Sequence, residues 1–318
     1  MVKKLIASLL VFATTSVLAW EPTKSIHVLV GFGPGSGNEL SFRGVSSLIE
    51  KANPKVNFII ENRPGADGVV AMNEFVTRPN DGHYIYIPSH QGIWVTADFF
   101  NKEVKRYSLD NFEYVVSIAK SPLVVIAWSG SSVSTVPELL DRVKNTNKPI
   151  TFAAGSGAHK LAFSYMVSKV SVNTELVQTA NYKGPAQAVQ DVAGGHVEFG
   201  IVPAAVAATF VKGGKVKIIG VCSEKPVNGI DAPLMNKWIP GMNVYAAWGI
   251  ILPKGTNPEI QKWYVDNFSK VIKSPEAKQF FDNNYMFFDE RELTPKGFND
   301  SMMRLRIQWL PILETFKE

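Results

Sequence analysis

Twice in this chain a β-rich run ends in a glycine-rich turn and passes straight into a helical pattern. The first unit is Val30-Gly31-Phe32-Gly33-Pro34-Gly35-Ser36-Gly37-Asn38-Glu39, closing the apolar run Ile26 to Phe32. The second is Phe152-Ala153-Ala154-Gly155-Ser156-Gly157-Ala158-His159-Lys160, closing Ile150 to Ala153. A strand that feeds a helix through so short a turn opens a crossover connection of the kind parallel strands require. The alternation continues on both sides. Helices are expected from about Glu39 to Lys51 and from Val69 to Val76, with strands at Val56 to Glu61 and Tyr84 to Ile87. Val115 to Ile118 and Leu123 to Trp128 read as two further short strands.

The second block repeats the plan. Thr135-Val136-Pro137-Glu138 is a capping box with proline inside the start of a helix running to about Asn145. A helix from His159 to Lys169, a strand around Glu175 to Gln178, the helix Pro185 to Ala193 and the strands Phe199 to Val202 and Val216 to Val221 follow. Lys225-Pro226-Val227-Asn228-Gly229 reads as a linker and Val244 to Leu252 as a strand. Thr256-Asn257-Pro258-Glu259 reads as another capping box, whose helix carries Ile260, Tyr264, Phe268 and Ile272 on one face. A last helical region starts at Thr294 and runs to about Phe316. The class is α/β with a mostly parallel sheet. The 318 residues suffice for two domains. They divide as a split first domain, 20–120 plus 226–318, with 121–225 inserted, so that two chain crossings form a hinge.

The N-terminus has the three parts of an export signal: the basic start Met1-Val2-Lys3-Lys4, the apolar run Leu5 to Phe12 and the small-residue site Val17-Leu18-Ala19. Cleavage is expected near Ala19, and the mature chain, starting at Trp20, is expected in a bacterial periplasm. An exported chain whose single cysteine is Cys222 forms no internal disulfide. Cys222 follows the apolar run from Val216 and reads as a buried thiol. No later stretch reaches about 20 uninterrupted apolar residues, the length of a membrane span. Without Lys3 and Lys4 the net charge of +5 falls to +3, too small an excess to argue for a nucleic-acid partner.

The two glycine turns are the places where chemistry is expected. Glycines let backbone N–H groups converge on a ligand, and each following helix presents its partly positive N-terminus. Facing one cleft, two such turns make an anion site of dipoles; facing apart, they are ordinary tight turns. Enzymatic versions of these loops fail on spacing. G-x-G-x-x-G is absent, as are G-x-x-x-x-G-K-[ST] and the nucleophile elbow G-x-S-x-G. The five histidines, His27, His83, His90, His159 and His196, show no metal-ligand spacing, so neither a metal nor a cofactor is expected. His90 and His159 stand at strand exits and are candidates for ligand contact or for capping. Two more loops, Pro88-Ser89-His90-Gln91-Gly92 and Asn181-Tyr182-Lys183-Gly184-Pro185, lie at strand ends, and Phe32, Trp94 and Tyr182 are aromatic wall or core.

At these residues the chain resembles the periplasmic solute receptors of tripartite tricarboxylate transporters, the Bug family. The resemblance runs from about Pro22 to the C-terminus and rests on the order of many short motifs. They include Glu61-Asn62-Arg63-Pro64-Gly65-Ala66-Asp67-Gly68, Asn80-Asp81-Gly82-His83-Tyr84, Gly155-Ser156-Gly157-Ala158-His159-Lys160-Leu161 and Tyr182-Lys183-Gly184-Pro185-Ala186. Ala193-Gly194-Gly195-His196-Val197-Glu198, Gly214-Lys215-Val216-Lys217 and Gly249 to Ile260 complete the series. The family patterns they answer include E-N-R-P-G-A-G-G and G-S-x-x-H-L. Two loops depart from the pattern: the first turn has Ser36-Gly37-Asn38-Glu39 where G-G-x-x-D is usual, and Ser89-His90-Gln91 stands for T-S-x-T-H.

The resemblance implies a two-domain periplasmic binding protein fold, two mixed or parallel sheets flanked by helices with a ligand cleft between the domains. It implies a monomeric, non-catalytic receptor that closes on a small carboxylate and delivers it to membrane permease subunits. The ligand-binding residues it implies are Gly35, Ser36, Gly37, Asn38, Ser89, His90, Gln91, Gly155, Ser156, Gly157, Ala158, His159 and Tyr182. Glu39 either faces away from the anion or, facing inward, repels a carboxylate or favours an amine-bearing ligand. Two other readings are a sensor receptor presenting its ligand to a membrane kinase, and an exported hydrolase pairing Ser36 or Ser156 with His90 or His159.

Overall fold

A computed structural model describes residues 20–314 of the protein; the expected export signal, 1–19, and residues 315–318 lie outside the described residues. The first half of the chain runs β1 (Ile26–Val30), α1 (Gly37–Ala52), β2 (Phe58–Asn62), α2 (Val69–Phe75), β3 (Tyr84–Ile87), α3 (Ala97–Phe100), β4 (Phe112–Trp128) and α4 (Val136–Lys144). The second runs β5 (Ile150–Ala154), α5 (Gly157–Ser168), β6 (Val177–Asn181), α6 (Pro185–Ala193), β7 (Phe199–Pro203), α7 (Ala204–Lys212), β8 (Val216–Val221), β9 (Tyr245–Pro253), α8 (Pro258–Ile272), α9 (Pro275–Asn283) and α10 (Pro295–Glu314). The fold is α/β, and its strands form two mixed sheets that share β4.

In the first sheet β1 lies between β2 and β3, parallel to both, and β3 pairs antiparallel with β9. β9 then pairs antiparallel with β4 from Phe112 to Pro122. In the second sheet the rest of β4, from Leu123, lies between β7 and β8, antiparallel to both, and β7 continues in parallel to β5 and β6. β4 is thus one 17-residue strand where two short strands were expected. The polar residues Lys120 and Ser121 look like a break, yet both stay in the ladder opposite Ala247 and Ala246. Ser121 is fully buried there. Its hydroxyl donates to Tyr285 O at 3.0 Å and accepts from Ala205 N at 3.0 Å, so a polar residue sits inside with both roles satisfied.

Local signals set most helices. Thr135 and Glu138 form the expected reciprocal capping box at α4. At α8 the cap is Asn257, which accepts from Glu259 N at 2.9 Å, while the Thr256 hydroxyl donates to Pro253 O; the box expected on Thr256 is therefore absent. Ile260, Tyr264, Phe268 and Ile272 are buried as their spacing requires. Phe268 stacks on Phe42 of α1 at 5.9 Å, and both meet Phe58 at the start of β2. α7 was not foreseen: Ala204-Ala205-Val206-Ala207-Ala208 is buried throughout, so no polar face marks a helical period. Cys222 is buried just after β8, and burial pushes its thiol pKa up.

Candidate functional site

The chain leaves β1 at Val30 and turns before α1. Ser36, in extended conformation, is the N-cap, and its hydroxyl accepts from Glu39 N at 3.5 Å. Glu39 folds back over its own turn. Its Oε2 accepts from Gly35 N and from Asn62 Nδ2, both at 3.3 Å, and its Oε1 from Arg43 Nε at 2.7 Å. The acid therefore braces the turn in the manner of a capping box. Asn38 Nδ2 donates to Ile87 O at 2.8 Å, tying the start of α1 to the end of β3.

The second turn is built differently. Ser156 is an extended N-cap whose side chain makes no capping bond. Gly155 N instead donates to His159 Nδ1 at 3.0 Å. An imidazole that accepts at Nδ1 carries its proton on Nε2, so His159 is a neutral ring with one remaining donor. Burial pulls its pKa from 6.5 to about 3. The unfolded chain therefore takes up a proton that the fold refuses. The stability His159 contributes is complete above about pH 6.5 and is lost as pH falls toward 3. Between pH 7 and pH 4 the urea midpoint of the native chain should fall markedly, and that of His159→Gln should fall less.

These turns meet. Gly37, Asn38, Ser156, Ala158, His159 and Ser89 line one narrow cavity of about 20 Å³, closed by Phe32, Pro185, Pro203, Ala246 and Trp248. The space is that of roughly one water molecule. Among the described residues the backbone amides of Gly37, Asn38, Ser156 and Ala158 have no acceptor, whereas those of Gly35, Glu39, Gly155 and Gly157 are all engaged. The structure thus leaves two free donors from the first turn of each helix at a shared opening. Phe32 also walls a wider cavity of about 490 Å³, lined by Pro64 to Asp67, Asn101, Gly155, Lys160, Tyr182 and Lys183 among others.

Not every expected residue lines the narrow cavity. Gly35 and Ser36 are absent from its wall, and Tyr182 lines the wider cavity, with its hydroxyl donating to Asp191 Oδ2 at 2.7 Å. His90 and Gln91 line a different cavity, on the far side of Ser89. The proposed Ser–His pairs do not form. Ser36 Oγ is taken by Glu39 N and His159 Nδ1 by Gly155 N, and His90 lines the other cavity, so none of these pairs is hydrogen-bonded as nucleophile and base.

One cleft residue was missed. Asp67 Oδ2 accepts from Gly157 N at 2.9 Å, placing a side-chain carboxylate at the N-terminus of α5. Asp67 sits at φ 56° in the left-handed region, on the turn that follows β2. A Cβ on Gly157 would lie 2.4 Å from Asp67 Oδ2 and 2.6 Å from Thr96 Oγ1, so only glycine admits this contact. Burial raises the Asp67 pKa, an effect partly offset by the Gly157 amide and the charge of Lys160. The signal was in the sequence: Gly65-Ala66-Asp67-Gly68 carries an acid where the family pattern has glycine.

The model of the tripartite tricarboxylate transporter family receptor matches residues 46–291. The chain belongs to this receptor family. Its relatives include the UPF0065 protein in the tcbD-tcbE intergenic region of a Pseudomonas species, 25% identical over 260 residues, or 80% of this chain and 76% of that protein. Among solved structures it is similar to the periplasmic binding protein BugD, with a TM-score of 0.85 at 22% identity over 93% of this chain and 98% of that one. It is also similar to a Rhodopseudomonas palustris protein solved with adipate, with a TM-score of 0.86 at 18% identity over 92% and 97% of the two chains.

Proposed function

We propose that this chain is a periplasmic receptor that captures a small organic carboxylate between two lobes, 20–120 with 226–318 and 121–225, and delivers it to the permease of a tripartite tricarboxylate-type transporter. It acts as a monomer and by binding, not catalysis. The observation that carries this reading is the set of four unengaged amides, at Gly37, Asn38, Ser156 and Ala158, around a space the size of one oxygen. A buried carboxylate needs several donors to offset its lost hydration, and two helix N-termini supply them with favourable dipoles. Ser89 and the His159 ring complete the donor set.

One carboxylate oxygen, or a water bridging to it, occupies the narrow cavity, and the body of the ligand extends into the wider one. There Lys160 and Lys183 offer cations to a second acidic group, which fits an aliphatic diacid of the size named for the adipate-bound neighbour. The crossings at β4 and between β8 and β9 serve as the hinge for closure. Thermal unfolding with aliphatic and aromatic mono- and dicarboxylates tests the reading. A ligand at about 100 times its Kd adds about 2.7 kcal/mol, a rise of several degrees in Tm. Adipate should give this rise and dimethyl adipate should not; a panel in which no acid shifts the transition refutes the proposal.

A further inference from the structure

The cleft holds an acid that a plain dicarboxylate has no use for. Asp67 is the one acid among the described residues that line its two cavities, and the residue keeps part of its surface open. Its place is fixed by backbone and partner alike. The main chain at Asp67 stands at φ 56°, Oδ2 accepts from Gly157 N at 2.9 Å, and a Cβ on Gly157 would collide with it. The other acid near these turns, Glu39, lines neither cavity and is paired with Arg43 Nε at 2.7 Å. Asp67 is less well served. Gly157 N, Lys160, Asn101 and Thr96 each favour its ionised form, yet burial outweighs them and raises its pKa. The partners present thus fall short of the hydration this carboxylate has lost.

Position shows what could make up the shortfall. Gly157 N lies in sequence between the unengaged amides of Ser156 and Ala158. A carboxylate received by those amides carries its α-carbon one bond away, which brings an α-substituent within reach of Asp67. Beyond it, the wider cavity is lined by Lys160 and Lys183. Two lysines against one acid leave this lining with an excess of one positive charge. A plain diacid carries two negative charges and sets one of them against Asp67. An α-amino diacid carries one net negative charge and meets each group with its opposite. Its α-carboxylate faces the amides, its ammonium Asp67, and its distal carboxylate the lysines.

We infer that this receptor takes an α-amino dicarboxylate of about the length of adipate, with Asp67 receiving the ammonium group. The inference rests on the carboxylate reading above and narrows its ligand class. Asp67 is then a specificity-determining residue. The same charge repels a plain diacid and attracts the zwitterion, and selective sites commonly combine the two. A charge-assisted hydrogen bond of this kind is worth about 10- to 100-fold in affinity.

Calorimetric titration of the full mature chain with adipate, each enantiomer of 2-aminoadipate, 2-hydroxyadipate and 6-aminohexanoate tests this. One enantiomer of 2-aminoadipate should bind at least about tenfold more tightly than adipate. 2-Hydroxyadipate should fall short of it, because a hydroxyl brings no charge to Asp67. 6-Aminohexanoate places an ammonium beside the two lysines and should bind more weakly than adipate. In Asp67→Asn the preference for 2-aminoadipate over adipate should vanish. Four results would each overturn the inference: adipate binding as tightly as 2-aminoadipate, 2-hydroxyadipate matching it, 6-aminohexanoate exceeding adipate, or the preference persisting in Asp67→Asn. The carboxylate reading survives all four. It fails, and the inference with it, when none of these acids binds.

Discussion

Asp67→Asn should bind adipate about 10- to 100-fold more tightly than the native chain. Asp67 holds a carboxylate on Gly157 N, one residue from each of the free amides of Ser156 and Ala158. Any anion bound at those amides meets a like charge a few ångströms away. Two unit charges about 6 Å apart at an effective dielectric of about 20 repel by about 3 kcal/mol, and partial protonation of Asp67 lowers this toward the tenfold end. Asparagine keeps an oxygen that accepts from Gly157 N, so the turn is preserved and the charge alone is removed. The pH dependence carries the same signature. Burial raises the Asp67 pKa, so the fold holds this proton more tightly than the unfolded chain does. The associated stability is present below the ordinary carboxylate range and is lost as pH rises through the raised value. Native affinity for adipate should climb as pH falls through that same interval, and the variant's should not. Calorimetric titration at several pH values measures both; an affinity unchanged or reduced in the variant would remove Asp67 from the ligand's surroundings.

The second large effect concerns Gly37. A Cβ at this position would lie 2.0 Å from a ring carbon of Trp248, which is itself buried against the cleft. Neither partner has room to yield: Trp248 belongs to β9 and Gly37 to the first turn of α1, next to the Asn38 anchor on Ile87 O. Gly37→Ala should therefore lower stability by about 1–3 kcal/mol, the usual cost of overpacking. It should weaken carboxylate binding about 100-fold or more, because the displaced turn carries two of the four donors and shifts of about 1 Å are costly to such sites. Gly33→Ala is the control. No atom lies within 4 Å of its added methyl, and both stability and binding should stay near native. Denaturant unfolding and titration of the two variants separate the cases; equal behaviour of Gly37→Ala and Gly33→Ala would show that the start of α1 is not held as described.

What the sequence made legible was what local chemistry writes into neighbouring residues. The Thr135–Glu138 box, the apolar face of α8 and the strand–turn–helix order at Gly31 to Asn38 and at Gly155 to His159 all depend on contacts within a few residues. The continuity of β4 did not show, because Ser121 is satisfied by Tyr285 and Ala205, partners far away in sequence. The partner of Asp67 stayed hidden for the same reason: the acid in Gly65-Ala66-Asp67-Gly68 departs from the family pattern, but Gly157, which it binds, is 90 residues distant. The separation of Ser89 from His90 and Gln91 was not open to deduction: β3 ends at Ile87 and the chain is helical from His90, whereas an extended chain would have kept Ser89 and Gln91 on one face.

The central claim is that four backbone amides from two helix N-termini hold the ligand's carboxylate. Titrating isotopically labelled protein with adipate and following the amide resonances of Gly37, Asn38, Ser156 and Ala158 tests it directly. The account predicts that all four amide protons move downfield together, saturating at one affinity, while Gly35 and Gly155, whose amides are already bonded, move far less. Saturable adipate binding that leaves these four resonances in place would contradict it.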